Sequence, residues 1–303
     1  MNTISTDQRF TRGDAAMLIT TVFWGLGTVL MKSIIGDTPD TLNLFVYNGL
    51  RLPVAACMLF STELLRGGNI RIQRHDYRLF TLASLIGFIT TILFLYGLKL
   101  TTASNAGVIT STIPLFIVIT SFFSGIEKPT VQTIAGIAVG FGGAFVLSWK
   151  GGANSANSGD FIILGGCFLM GIFTMFSKKL VAIYSPMVTA GWLFVLSFVW
   201  QLPYFIFKLF DQHWSTLPGS IWINFWLSVI GPLFIANTFY YYSLQVMKPS
   251  RVGVYTYLIP VFTLFFAYVI RNETITLQQV IGLVIIILGI SITKKRVYRR
   301  SLY

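Results

Sequence analysis

Runs of about 20 predominantly apolar residues, divided by short polar connectors, recur ten times along this chain, at roughly 15–34, 40–62, 78–98, 102–123, 130–149, 160–180, 186–208, 220–244, 250–270 and 276–293. Each run is long enough to cross a hydrocarbon layer of about 30 Å as a helix. Lipid offers no partner to a backbone N–H or C=O, so runs of this length must satisfy their own hydrogen bonds as helices; barrel strands would be half as long. The reading is an all-α, polytopic membrane protein with ten transmembrane helices. Charged residues make up only 11% of the chain, against about 25% in soluble domains.

The first run follows Arg9 and Arg12 but is too long for a cleavable signal segment, and no small-x-small site follows it, so it reads as a retained helix. A formal net charge of +12 does not point to nucleic acid, because the basic residues sit in connectors and the tail. With both termini cytoplasmic, Arg66, Arg71, Arg74, Arg78 and the tail Lys294–Arg300 all fall on the inner side, as the positive-inside rule requires. The expected location is a bacterial-type inner or plasma membrane. The basic tail is also placed to touch anionic lipid headgroups. Cys57 and Cys167 both lie within apolar runs and read as small buried hydrophobes, with no metal site and no cofactor implied.

Shifting the sequence by 146 positions against itself superposes Gly13 on Gly159, Asp14 on Asp160, Gly25 on Gly171, Thr28 on Thr174 and Lys32 on Lys178. Later pairs are Tyr96 with Tyr242, Gly107 with Gly253, Pro114 with Pro260, Phe116 with Phe262, Glu127 with Glu273, Gln132 with Gln278 and Gly143 with Gly289. The unit is five helices long. Because five is odd, the second unit enters the membrane in the opposite sense to the first, which makes two inverted repeats, an architecture typical of transporters. The expected division is a first repeat at 13–149, a linker at 150–159 rich in Gly, Ser and Asn, a second repeat at 160–293 and a tail at 294–303.

The ending "IPLFIVITSFFSGIEKPTVQTIAGIAVGFGGAFV", echoed by "IPVFTLFFAYVIRNETITLQQVIGLVIIILGISI", together with Phe23-Trp24-Gly25 and Arg51, resembles the EamA domain, the repeat unit of the drug/metabolite transporter superfamily. The resemblance covers nearly the whole chain. It implies a carrier of small metabolites, and it leaves the substrate open among amino acids, sugars, nucleotide sugars, drugs and other solutes. Met170 stands where the first repeat has Trp24, so the two halves do not present the same aromatic pair.

Arg51 lies near the middle of the second run, where an arginine costs about 2.5–3.5 kcal/mol even on lenient insertion scales. Asn43, Tyr47 and Arg51 are spaced i, i+4, i+8, a single stripe directed at the bundle interior or a wet cavity. Two roles stand open for Arg51: recognition of a substrate carboxylate, or bracing of a broken neighbouring helix. Trp24, Thr28, Tyr96, Asn105, Thr238 and Tyr242 complete the candidate substrate-binding set, aromatic rings for stacking and hydroxyls or amides for orientation. Pro114 and Pro260, repeat mates, are candidate gating kinks. Lys32 and Lys178 read either as anion attractors at two mouths or as snorkelling interfacial lysines. Gly136 and Gly140 form a GxxxG pair, suited to internal packing or to a homodimer.

All ten acidic residues fall at helix ends or in connectors, and neither His75 nor His213 is in a run. Coupling to protons through a mid-membrane carboxylate is therefore disfavoured, and export or facilitated movement by alternating access is expected, with an amino acid or similar metabolite as partner. A flippase for lipids or lipid-linked sugars is the alternative on the same fold. An integral-membrane enzyme lacks an HExxH, a phosphate loop or a buried acid pair.

Overall fold

The computed structural model describes residues 10–36, 38–128, 130–148, 158–272, 274 and 276–294. Of the expected linker at 150–159 and tail at 294–303, residues 150–157 and 295–303 lie outside the described residues, as do Asp7, Asp37 and Glu273. Among the described residues eight helices are long and apolar enough to cross a membrane, and two shorter apolar helices lie within the fifth and tenth runs. The protein is an all-helical polytopic membrane bundle.

The first three spans are Arg12–Ile34, Leu44–Leu65 and Tyr77–Leu100, and the fifth, sixth, seventh and tenth are Val131–Ser148, Ser158–Val181, Pro186–Phe210 and Leu277–Lys294. Thr11 caps the first span by a reciprocal capping box with Asp14, and Ser185 caps the seventh through the Val188 N–H. The fourth, eighth and ninth spans are not uniform. The fourth runs Ala103–Ile109, then a tight turn Thr110–Thr112, then Ile113–Phe123. The ninth breaks at the matching place, between Pro249–Thr256 and Ile259–Arg271. Thr110 and Thr256, repeat mates, each donate to the carbonyl three residues back, on Gly107 and Gly253. Pro114 and Pro260 therefore do not kink a continuous helix; each sits in the first turn of a new one, where its missing N–H has no partner to lose. The eighth span contains a π-helical segment, Val229–Ile235, between Gly219–Ser228 and Ala236–Val246.

The packing mirrors the repeat. The second span packs on the seventh and the fifth on the tenth; the third packs on the sixth as the first packs on the eighth; the fourth packs on the sixth as the first packs on the ninth. Single residues show the same inversion. A Cβ on Gly25 would lie 2.6 Å from Phe262, and one on its mate Gly171 would lie 2.7 Å from the backbone of Phe116, the mate of Phe262. A Cβ on Gly143 would meet Gly282 O at 2.8 Å, and one on Gly289 would meet Gly136 O at 2.7 Å. The GxxxG glycines are thus used inside the molecule, between the fifth and tenth spans. Gln132 donates to Ile292 O and Gln278 to Val146 O, again a matched exchange.

Lys32 and Lys178 follow suit, with a role that neither expectation named. Lys32 Nζ donates to Leu98 O and Lys99 O at 2.8 and 3.0 Å, and Lys178 Nζ to Leu244 O, Gln245 O and Met247 O at 2.6, 3.2 and 2.9 Å. Each ammonium closes the carboxyl-terminal end of a neighbouring helix, where carbonyls lack intrahelical donors and the helix dipole favours a cation.

Candidate functional site

The first, second, third, sixth, seventh and eighth spans, with the breaks of the fourth and ninth, surround a central cavity of about 220 Å³. Its walls are mostly carbon, supplied by residues such as Trp24, Phe88, Phe94, Phe173 and Phe194, with Thr28, Asn48, Arg51, Thr90, Ser197 and Asn237 among the polar groups. Among the described residues Arg51 is its single cation, and no Asp, Glu, Lys or His lines it.

Arg51 is 3% exposed and held from two sides. Its Nε donates to Asn48 Oδ1 at 2.9 Å, and Asn48 Nδ2 donates to Gln201 Oε1 of the seventh span at 2.8 Å. Its Nη1 donates to Tyr47 Oη at 3.0 Å and lies 3.5 Å from Met31 Sδ, while the guanidinium carbon stands 4.6 Å from the Tyr47 ring centre. Tyr47 in turn donates to Ser228 Oγ at 2.9 Å, and Ser228 donates to Phe225 O just before the π-helical segment. Among the described residues every partner of Arg51 is neutral, and Nη2 forms no hydrogen bond. A buried cation without a counter-charge is costly unless water or an anion completes it. The broken-helix carbonyls expected as braces are not its partners.

The other candidates separate into two groups. Trp24 and Thr28 line the cavity beside Arg51, and Tyr47 stands behind the guanidinium as described. Trp24 also packs on Tyr240, with ring centres 5.0 Å apart. Tyr96 is 44% exposed and is not part of the cavity wall. Asn105 is engaged at the end of the bundle, donating to Thr101, which donates to Asp160. Thr238 donates to its own helix at Phe234 O, and the eighth span presents Asn237 and Tyr241 to the cavity in place of Thr238 and Tyr242. Neither Pro114 nor Pro260 lines the cavity, but their neighbours Ile113 and Ile259, repeat mates, do. Sequence reasoning missed Gln201, whose only signal was an amide within an apolar run.

The acidic residues that are described lie at helix ends or in connectors, and two of these are buried. Asp14, 1% exposed, accepts from Arg251 Nη2 at 2.7 Å, Arg251 Nε at 3.1 Å and Tyr255 Oη at 2.7 Å. Asp76 accepts from Tyr184 Oη at 2.6 Å. Neither faces the cavity. Cys167 lines the cavity as a buried thiol, whereas Cys57 is exposed, contrary to the reading of both as buried.

The model of the EamA-like transporter family matches residues 11–149 and 157–294. The chain belongs to that family. Relatives of this EamA-like transporter include an "Uncharacterized transporter" of Archaeoglobus fulgidus, 25% identical over 91% of this chain and 95% of its own length. Another is "Uncharacterized transporter YoaV" of Bacillus subtilis, 27% identical over 89% of this chain and 92% of its own. A solved crystal structure shares the fold with a TM-score of 0.73 at 20% identity, covering 93% of this chain and 98% of that one. The protein is a membrane transporter of this family.

Proposed function

We propose that this EamA-like transporter carries small metabolites bearing a carboxylate, amino acids or related acids, through the central cavity by alternating access, and that it works as an exporter or facilitator in an inner or plasma membrane with both termini cytoplasmic. The observation that carries the reading is Arg51: a buried guanidinium at the cavity wall whose partners are all neutral. Such a group gains most from a solute that brings the missing negative charge. The paired breaks before Pro114 and Pro260 supply two flexible points, one in each half, at which the ends of the bundle open in turn. Among the described residues no acidic side chain lines the cavity, which supports solute movement without proton exchange at a cavity carboxylate.

The test is counterflow in liposomes containing the purified protein, with labelled amino acids, monocarboxylic acids, nucleosides and sugars offered separately. Saturable uptake of amino acids or related acids, abolished in Arg51→Gln protein that reconstitutes normally, is expected. Headgroup scrambling of lipid with no solute counterflow would replace this reading with the flippase.

A further inference from the structure

The cavity has one fixed positive charge and no fixed negative charge, and that imbalance selects among acids. A carboxylate beside Arg51 neutralises it. The ammonium of an amino acid, bound in the same step, would leave water for walls whose polar groups, such as the Asn237 and Tyr241 side chains, are neutral, and contact with an aromatic face returns only part of that cost. It would do so within the same small space as a guanidinium of like charge, which further disfavours it. A phosphate or dicarboxylate would bring a second negative charge with no second cation to meet it, since Lys32 and Lys178 are engaged with helix-end carbonyls outside the cavity. A sugar would bury many hydroxyls against a wall that is mostly carbon. The remaining fit is a small acid with an apolar body. The aromatic rings of Trp24, Phe88, Phe94 and Phe173 offer that body flat contact surfaces.

We infer that the preferred solute is an organic monoanion with an apolar body and no ammonium group, an inference that rests on the carboxylate reading of Arg51 and narrows it. Matched ligands test it on the purified full-length protein, by the rise in thermal unfolding midpoint with ligand concentration. The set is 3-phenylpropionate, phenylalanine, phenylethylamine, phenyl phosphate and the uncharged isostere 3-phenylpropionamide. The expected result is that the Kd of 3-phenylpropionate, fitted from the rise of the midpoint with concentration, lies at least tenfold below those of phenylalanine and phenyl phosphate, with no response to the amine or the amide. Equal or tighter binding of phenylalanine, with the amide still silent, would overturn the inference while leaving the role of Arg51 intact. An amide that binds as well as the acid would show that charge is not read at all, and would bring down both. The amide comparison uses unaltered protein, so the outcome does not depend on whether an Arg51 variant folds.

Discussion

Replacing Arg251 with methionine should unlatch the bundle at the face where the first span begins. The two bonds from Arg251 to Asp14, 2.7 and 3.1 Å long, join the first span to the ninth. Breaking a fully buried pair costs about 3–5 kcal/mol, and a surface pair is worth about 0–1. Here the carboxylate side chain is 1% exposed and the guanidinium 36% exposed. Thr11 and Tyr255 would continue to donate to Asp14, so an intermediate value of about 2 kcal/mol is expected. If the pair exists only while this end is shut, its loss raises the open fraction about 30-fold. The assay places a cysteine at Ser177, a buried position next to Lys178 near this end, in protein lacking Cys57 and Cys167. Labelling by a membrane-impermeant maleimide should then be about 30-fold faster in Arg251→Met. An unchanged labelling rate with a lower unfolding midpoint would refute the latch and leave the pair as a plain brace.

Gln201→Met keeps the volume but strands the buried Asn48 amide that positions Arg51, so stability should fall by about 1–3 kcal/mol and affinity for the carboxylate about 5- to 10-fold, measured by thermal unfolding with and without ligand. Lys178→Met strands three helix-end carbonyls and should lower stability by about 1–3 kcal/mol in urea or thermal unfolding, without altering anion affinity. Gly171→Ala forces a Cβ to within 2.7 Å of the Phe116 backbone and should cost about 1–3 kcal/mol, whereas Gly142→Ala, with nothing within 4 Å, should be neutral or slightly stabilising.

The ten spans and the inverted repeat were legible because lipid imposes a length and a composition, and because helix contacts demand glycine at matched places such as Gly25 and Gly171. Arg51 was legible for the same reason: charge in an apolar run has to be used. The wall of the eighth span was not. A face drawn through Thr238 and Tyr242 misses the cavity side, which runs one residue earlier through Leu233, Asn237 and Tyr241, each four apart, with Pro232 beside them. Asn237 is held on that side across the π-helical turn, donating to Pro232 O at 2.9 Å. Tyr96 misled because a residue and its mate share a place in their own repeat, which need not be a place at the centre. Asp14 looked like an ordinary end residue because burial by Arg251 and Tyr255, more than 230 positions away, leaves no local trace.

Two perfectly equivalent halves, turned over and joined, would make a molecule indifferent to which way round it sat. The π-helical turn at Val229–Ile235 has no counterpart in the third span, which is regular from Tyr77 to Leu100. Asp14 is clasped by Arg251, whereas at the other end their repeat mates, Asp160 and Asn105, meet Thr101, which donates to Asp160 and accepts from Asn105. The two faces of the bundle are therefore fastened by unlike contacts, and the molecule presents a different surface to each side of the membrane.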